Sequence, residues 1–217
     1  YPAARAVFDE VDAALGEKLS ALIWEGEQDT LTLTQNAQPA LMATSMAAMR
    51  ALEAEGVKIT DAAFVAGHSL GEYSALCAAG ALSLTDTARL LRLRGQAMQA
   101  AADANPSGMV SILGLERDVV EALCDQVRRP GETLQIANLL CPGNIVISGG
   151  REACQRAADA APGLGAMKAI PLAVAGAFHT DLMKSAVERL AAALADVPLR
   201  KPRIPVLSNV DAQAHAD

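Results

Sequence analysis

The chain has 217 residues, of which 52% are hydrophobic, 3% aromatic and 20% charged, and its formal net charge is −7. This apolar content excludes a disordered chain, and the acidic balance makes a nucleic-acid-binding protein a poor candidate, because such proteins bind phosphate through cationic side chains. No apolar run approaches the roughly 20 residues of a membrane span and no signal peptide opens the sequence, so we expect a soluble globular protein.

The first third of the sequence has the apolar spacing of α-helices. Four apolar residues recur at helical spacing near the N-terminus: Val7, Val11, Leu15 and Leu19. A longer helix is predicted over about 39–55, with Pro39 in its first turn, where a missing N–H has no cost. Gly56 follows as a natural stop.

A strand, a tight turn and two helices are predicted next. Residues 62–66 are a short apolar run typical of a buried parallel strand. The turn over 67–71 leads into a helix at about 72–79. Ser83, with Asp86 three residues later, marks the start of a further helix that ends near Asp103.

The pattern then changes to short strands and two helices. Strands are predicted at 109–113, 134–137, 145–148 and 167–172, and helices at 117–127 and 151–160. This order, β-α-β-β-α-β, is the split unit of a ferredoxin-like subdomain. A helix predicted at 179–194 and a strand predicted at 204–208 return to the alternation of helices and strands seen in the first part of the chain.

We therefore predict an α/β protein in which a small domain, residues 104–176, is inserted into a larger domain formed by residues 1–103 and 177–217. The chain begins inside a helix-like stretch and stops just after a strand-like one. We expect from this that the larger domain is truncated at both ends.

The cysteines form neither a metal-binding nor a disulfide pattern. They show no C-x-x-C spacing and no paired histidines: Cys77, Cys124, Cys141 and Cys154. We expect no metal and a reducing compartment, with the bacterial cytoplasm as the first choice and the mitochondrial matrix as an alternative.

The sharpest motif is the G-x-S-x-G at residues 67–71, between a predicted strand and a predicted helix. A nucleophile elbow needs glycines there because the turn strains the backbone and leaves no room for flanking side chains. It presents Ser69 at a helix N-terminus, where the Leu70 N–H can stabilise an oxyanion. We predict that Ser69 is a nucleophile; the alternative is an ordinary glycine-rich turn with a capping serine.

A serine nucleophile needs a general base, because its hydroxyl is weakly nucleophilic at its own pKa. His68 adjoins Ser69, and adjacent side chains at such a turn point apart. His179 lies where the chain re-enters the larger predicted domain and is a plausible base from a different element. The residues alone leave His68 and His215 open as alternatives, and a lone histidine is also consistent with a packing or capping role.

Several motifs together resemble the malonyl-CoA:acyl carrier protein transacylase family. The resemblance covers nearly the whole chain and rests on GHSLGEYSAL at 67–76, RLRGQAMQ at 92–99, Ala-Phe-His at 177–179 and Leu-Met at 182–183. Further matches in family order are Gln-Pro-Ala-Leu at 38–41, Asn138 with Pro-Gly at 142–143, and Ser-Asn-Val-Asp at 208–211. The resemblance implies an α/β-hydrolase-like domain with an inserted ferredoxin-like subdomain.

The resemblance also implies roles for individual residues. Ser69 is the acylated nucleophile, His179 its base, and Arg94 the group that pairs with the malonyl carboxylate. A planar guanidinium can hold a carboxylate through two charge-assisted bonds, which favours malonyl over neutral acyl groups. Arg89 and Arg92 are interpreted as ordinary helix arginines.

Three more residues are weaker site candidates. Phe178 resembles the bulky residue of malonyl-selective members and would leave no space for an α-methyl group; simple packing is the alternative. Gln38 and Asn138 are polar residues whose family counterparts lie close to the pocket.

The function implied is ping-pong transfer of a malonyl group from coenzyme A to the phosphopantetheine thiol of acyl carrier protein, for fatty-acid or polyketide synthesis. No metal or redox cofactor is implied, and we expect a monomer with no nucleic-acid or membrane partner. Since acyl carrier proteins are acidic, docking would need a local basic cluster: Arg89, Arg92 and Arg94, or Arg200, Lys201 and Arg203.

Two other functions stay open at this point. A serine esterase or thioesterase would use the same serine and histidine but would gain nothing from Arg94. An inactive fragment is the third, because family members begin with a Gly-Gln-Gly-Ser-Gln loop whose glutamine contributes to the oxyanion hole. They also continue beyond the Asn-Val-Asp at 209–211, and the sequence has neither segment.

Overall fold

The computed structural model describes all of residues 1–217 as a mixed α/β protein. Its helices are α1 (Pro2–Leu15), α2 (Leu19–Glu25), α3 (Gln28–Thr32), α4 (Thr34–Ala54), α5 (Gly71–Ala78), α6 (Leu84–Asp103), α7 (Arg117–Val127), α8 (Arg151–Ala160) and α9 (Lys184–Ala195). Its strands are β1 (Val65–Ala66), β2 (Ser107–Leu113), β3 (Leu134–Cys141), β4 (Asn144–Gly150), β5 (Lys168–Pro171), β6 (Val206–Leu207) and β7 (Ala214–His215). None of the helices has the length and apolar character needed to cross a membrane.

The chain packs as two units, which are described separately. The first consists of Tyr1–Gln96 with Leu190–Asp217, and the second of Ala97–Arg189. The second unit therefore contains the predicted small domain of residues 104–176 and extends beyond it at both ends.

In the first unit, helices pack around an apolar core and a short sheet carries the G-x-S-x-G turn. The core joins residues of α1, α4, α5 and α6: Val7, Val11, Met42, Met46, Cys77 and Leu91. The sheet has the order β1-β6-β7, and β1 runs parallel to β6 as predicted. The predicted burial of the run at 62–66 is wrong, because Phe64 and Ala66 are exposed and Val65 is only half-buried. Pairing covers only two residues of each strand, so both predicted strands at 62–66 and 204–208 were too long.

Two helix boundaries differ from the sequence prediction. Pro39 is not at the start of α4 but inside it, because the helix begins at Thr34. Leu19 does not continue the N-terminal helix; it starts α2 after Gly16, which ends α1 in the left-handed conformation with φ of 68°. A periodic apolar pattern is shared by two consecutive helices, so it could not reveal the break.

The second unit contains a four-stranded antiparallel sheet covered by α7 and α8. Its strand order is β3-β4-β2-β5, and the elements follow one another as β-α-β-β-α-β, as predicted. Both helices have the predicted bounds, while β2, β3 and β4 are longer than predicted. The core between sheet and helices is apolar and closely packed: Val110, Ile112, Val120, Leu123, Leu134, Ile145 and Ile147.

Candidate active site

The turn between β1 and α5 has the geometry of a nucleophile elbow. Ser69 has φ of 54°, in the left-handed region that residues with a side chain rarely adopt. The turn is closed by hydrogen bonds from Gly71 N–H to His68 C=O at 2.9 Å and from Glu72 N–H to Ser69 C=O at 3.2 Å. Strain of this kind persists only where the surrounding structure imposes it, and it clusters at functional sites.

The two glycines of the motif have different roles. A Cβ added to Gly67 would lie 1.9 Å from Gly71 O, so only glycine fits, as the sequence predicted. A Cβ added to Gly71 would meet nothing within 4 Å, so the expectation of crowding is wrong there. The Leu70 N–H donates no backbone hydrogen bond within the turn, so it is available to bind an oxyanion.

Arg94, on α6, reaches the serine directly. One guanidinium nitrogen, Nη2, donates to Ser69 Oγ at 3.0 Å, and the other, Nη1, donates to Gln38 Oε1 at 2.6 Å. Burial lowers the pKa of Arg94, but an arginine side chain keeps its charge in proteins. Both acceptors are neutral, so a half-buried positive charge lies beside Ser69 Oγ.

Gln38 is held in one orientation from both ends. Because a guanidinium can only donate, the carboxamide oxygen faces Arg94, and Nε2 donates to Thr34 Oγ1 at 2.9 Å, one helical turn earlier. The helices approach closely here: a Cβ added to Gly95 would lie 2.5 Å from the Cα of Gln35. The structure thus brings Gln38, Arg94 and Ser69 together as neighbours.

Tyr73 packs against the same guanidinium. The Arg94 Cζ lies 5.8 Å from the centre of the Tyr73 ring, within the range of a cation–π interaction. Burial raises the pKa of Tyr73, so its phenol is neutral near pH 7. Sequence reasoning missed this residue, although its position four residues after Ser69, on the first turn of α5, was a usable signal.

The neighbouring arginines have structural partners. Arg92 donates to Asn36 Oδ1 and forms an ion pair with Glu17, while the Arg89 Nε donates to Ala14 C=O at 3.1 Å. Of these three arginines, only Arg94 contacts Ser69.

In the second unit, His179 lies in a turn before the short 3₁₀ helix Asp181–Met183, not in the long helix predicted from 179. Its φ is 61°, and only Ser69 and Ala212 are other non-glycine residues with positive φ. The turn is anchored on both sides: Ala177 N–H donates to the buried Ser107 Oγ at 2.9 Å, and Thr180 Oγ1 donates to Ala177 C=O at 2.7 Å.

Phe178 and Asn138 also belong to the second unit. Phe178 is half-buried against an apolar cluster: Ala97, Met98, Ala101, Ala102, Met183 and Ala186. Asn138 is half-buried on β3, where the pairing with β4 shifts register between Ile136 and Asn138. A bulge of this kind re-aims a side chain.

The other two histidines are exposed, as His179 is. His215 Nε2 lies 3.0 Å from Asp211 Oδ2, and His68 lies within the elbow. No three histidine, cysteine or acidic side chains are grouped so that they could hold a metal ion.

Asn209 is the second residue that sequence reasoning did not assign. Its carboxamide accepts a hydrogen bond from Ser69 N–H at 2.5 Å and donates one to Gly67 C=O at 2.6 Å. The only sequence signal was its place in the Ser-Asn-Val-Asp match at 208–211, which by itself indicates no chemical role for this asparagine.

A family comparison matches the whole chain. The family described as "Acyl transferase domain" matches residues 1–217. The malonyl CoA-acyl carrier protein transacylase of Bacillus subtilis (strain 168) is 46% identical over 97% of this chain and 66% of its own length. The Escherichia coli (strain K12) protein of the same name is 38% identical over 100% of this chain and 69% of its own length. The chain thus spans about two thirds of the length of these relatives.

Solved structures agree with the sequence matches. An acyl-carrier-protein-S-malonyltransferase from Bartonella henselae matches with a TM-score of 0.95 and 50% identity, over 100% of this chain and 69% of that one. A malonyl-transacylase in complex with a type II PKS acyl-carrier protein matches with a TM-score of 0.94 and 38% identity, over 100% of this chain and 69% of that one.

Proposed function

Because the chain belongs to the malonyl-CoA:acyl carrier protein transacylase family of acyl transferase domains, we propose that it moves a malonyl group from coenzyme A to the phosphopantetheine thiol of acyl carrier protein. The observation that carries this proposal is the Arg94 guanidinium, half-buried and 3.0 Å from Ser69 Oγ. In a malonyl thioester the carboxylate carbon is two bonds from the thioester carbon, so the carboxylate can reach this charge while the thioester carbonyl lies at the serine. A hydrolase of neutral esters has no use for such a charge.

In the first half-reaction, His179 takes the proton of Ser69 as the hydroxyl attacks the thioester carbonyl. The Oγ–C bond forms, the C–S bond breaks, and coenzyme A leaves with the proton returned by His179. The Leu70 N–H stabilises the oxyanion of the tetrahedral intermediate.

In the second half-reaction, the phosphopantetheine thiol of acyl carrier protein attacks the malonyl-serine ester. Its proton passes to His179 and then to Ser69 Oγ as the ester bond breaks, which restores the free enzyme. Arg94 holds the malonyl carboxylate through both halves, and Gln38, fixed by Thr34, orients the guanidinium.

Side chains of the second unit complete the proposal. By the family resemblance, Phe178 would limit space for an α-methyl group on the acyl chain, and Asn138 would contribute a polar group near the pocket. The strand order β3-β4-β2-β5 supports a ferredoxin-like subdomain inserted into an α/β-hydrolase-like domain. A monomer with no metal or redox cofactor, active in a cytoplasm, stays a prediction from the sequence.

The test is intact-mass spectrometry of the protein after brief incubation with malonyl-CoA. We expect one malonyl adduct on the wild type and on Arg89→Ala, and none on Ser69→Ala. Arg94→Ala should form the adduct about 100-fold more slowly or worse, because truncating one partner of a buried charge pair costs about 2–5 kcal/mol. Equal loss of malonyl and acetyl transfer in Arg94→Ala would contradict the assignment of the carboxylate to Arg94.

Docking of the acidic carrier protein is tested separately. Arg200 and Lys201 are both exposed, whereas Arg203 donates to Ala78 C=O at 2.8 Å. Charge reversal of Arg200 and Lys201 should raise the KM for carrier protein and leave the KM for malonyl-CoA unchanged. Arg117→Glu, on the exposed end of α7, is the matched control; an unchanged KM for carrier protein would rule this surface out.

A further inference from the structure

We propose that Asn209 is the positioning residue of the nucleophile elbow, whose carboxamide holds the peptide groups on either side of the turn so that Ser69 stays in its strained conformation. This inference rests on the proposed function. Its first support is the pair of hydrogen bonds to Ser69 N–H and Gly67 C=O, which span 140 and 142 positions of sequence.

The turn cannot supply these two hydrogen bonds itself. The carbonyls of His68, Ser69 and Leu70 accept from the first N–H groups of α5. Gly67 C=O and Ser69 N–H take no part in that pattern and instead bond to the carboxamide of Asn209, which is exposed. Asn209 satisfies both at once.

Sheet register brings Asn209 to this place. Ala66 pairs with Leu207 where β1 and β6 run parallel, so residues two beyond each strand lie side by side. The residue that must face the elbow is therefore the second after β6, which is Asn209.

Asn209 is itself fixed in position. Its own N–H donates to Glu72 Oε2 at 3.1 Å, on the first turn of α5. The loop that follows is closed by hydrogen bonds from Ser208 N–H to Gln213 C=O and from Ala212 N–H to Ser208 C=O, both 3.0 Å. Ala212 has φ of 56°, so this loop is also strained.

The chemistry requires a carboxamide. Asparagine offers one acceptor and one donor on a single planar group, which matches one N–H and one C=O. An aspartate of the same shape has only acceptors at neutral pH and would set a second oxygen against Gly67 C=O. Asn209→Asp therefore changes the hydrogen bonding with little change in volume.

A misplaced elbow slows acylation more than it weakens substrate binding. Displacing a nucleophile by about 1 Å costs on the order of 100-fold in rate. The contact expected to bind the malonyl carboxylate lies on Arg94, which Asn209 does not touch. We therefore expect Asn209→Asp to lower kcat about 10- to 100-fold and to leave the KM for malonyl-CoA nearly unchanged.

The experiment compares the wild type, Asn209→Asp, Asn209→Ala and the control Gln213→Ala in the intact protein. Gln213 lies in the same loop, and its side chain contacts only Asp211 C=O, at 3.5 Å. Each protein is treated with malonyl-CoA and, separately, with a fluorophosphonate, which reacts when serine Oγ bonds to phosphorus and fluoride leaves. Thermal melting is recorded beside both rates.

The inference predicts slower malonylation and slower fluorophosphonate labelling of both Asn209 variants, with Gln213→Ala equal to the wild type. Asn209→Ala decides the question if the aspartate variant fails to fold. Wild-type rates in a folded Asn209 variant, or a KM change without a kcat change, would overturn it. A wild type that is labelled but not malonylated contradicts the proposed function alone, and the labelling rates still test Asn209.

Discussion

The elbow at Ser69 and the four-stranded sheet of the second unit are stabilised in opposite ways. The elbow depends on polar contacts, a glycine without space for a Cβ and a serine with φ of 54°. The sheet depends on regular antiparallel pairing and a core of buried aliphatic side chains. The contrast shows that, of these two regions, the elbow carries the backbone strain, because Ser69 has a positive φ, whereas the sheet is stabilised by ordinary burial of apolar side chains.

The largest expected effect is a difference in alkylation rate among the cysteines of the second unit. Burial raises the pKa of Cys124 to about 12 and that of Cys154 to about 11, while Cys141, at the end of β3, is exposed. Because the thiolate is the reactive form, iodoacetamide near pH 8 should modify Cys141 first, with Cys124 slower by about 1000-fold or more. Peptide mapping over time measures this. Equal rates in the native protein would mean that the sheet core opens readily.

A second prediction concerns the effect of one added methyl group on the elbow. In Gly67→Ala the new Cβ has no space, so we expect acylation of Ser69 to fall about 100-fold or more. Gly71→Ala is the matched control, because the same methyl group meets nothing there. Fluorophosphonate labelling of both variants makes the comparison. If Gly71→Ala were equally slow, crowding at Gly67 would not explain the motif.

A third prediction concerns the approach of α4 and α6. A Cβ at Gly95 would lie 2.5 Å from the Gln35 Cα and 2.6 Å from Thr34 O. Gly95→Ala should move Arg94 relative to Gln38, destabilise the protein by about 1–3 kcal/mol and raise the KM for malonyl-CoA. Urea unfolding and steady-state kinetics measure the two effects. The exposed neighbour Gln96 provides the control, since Gln96→Ala should leave both quantities unchanged.

The smallest effect is expected in the sheet core. Ile147 is fully buried on β4, between Val110 of β2 and Ile136 of β3. Ile147→Val should lower the free energy of unfolding by about 0.5–1.5 kcal/mol, because one methylene leaves a small cavity. Acylation of Ser69 should be unchanged at temperatures where the protein is folded. A loss of acylation rate without a loss of stability would show that the two regions are not independent in function.

Much of the second unit was predictable from the sequence. The helices α7 and α8 have the predicted bounds, and the order β-α-β-β-α-β was read correctly. Short strands and amphipathic helices of this unit carry local signals of apolar periodicity and turns. In the first unit the same signals failed at two places. At Leu19 the apolar periodicity continues from one helix into the next, and at Pro39 a fully buried proline lies inside a helix rather than at its start.

The motif was sufficient to predict the sharp turn between β1 and α5, whereas the nucleophilic role of Ser69 stays a prediction. Arg94 was separated from Arg89 and Arg92 only by the family resemblance. Its guanidinium lies 3.0 Å from Ser69 Oγ, whereas its binding of a carboxylate stays a prediction.

What the sequence by itself determined is therefore local: the order of elements in the second unit, the turn at Ser69 and the family of the chain. What only the tertiary structure decided is which distant residues support that turn. Helix packing brings Gln38 to Arg94 across 56 positions of sequence, and strand register brings Asn209 to the elbow backbone across 140 and 142 positions. Register and packing depend on residues far apart in sequence, and local propensity carries no information about which of them will meet.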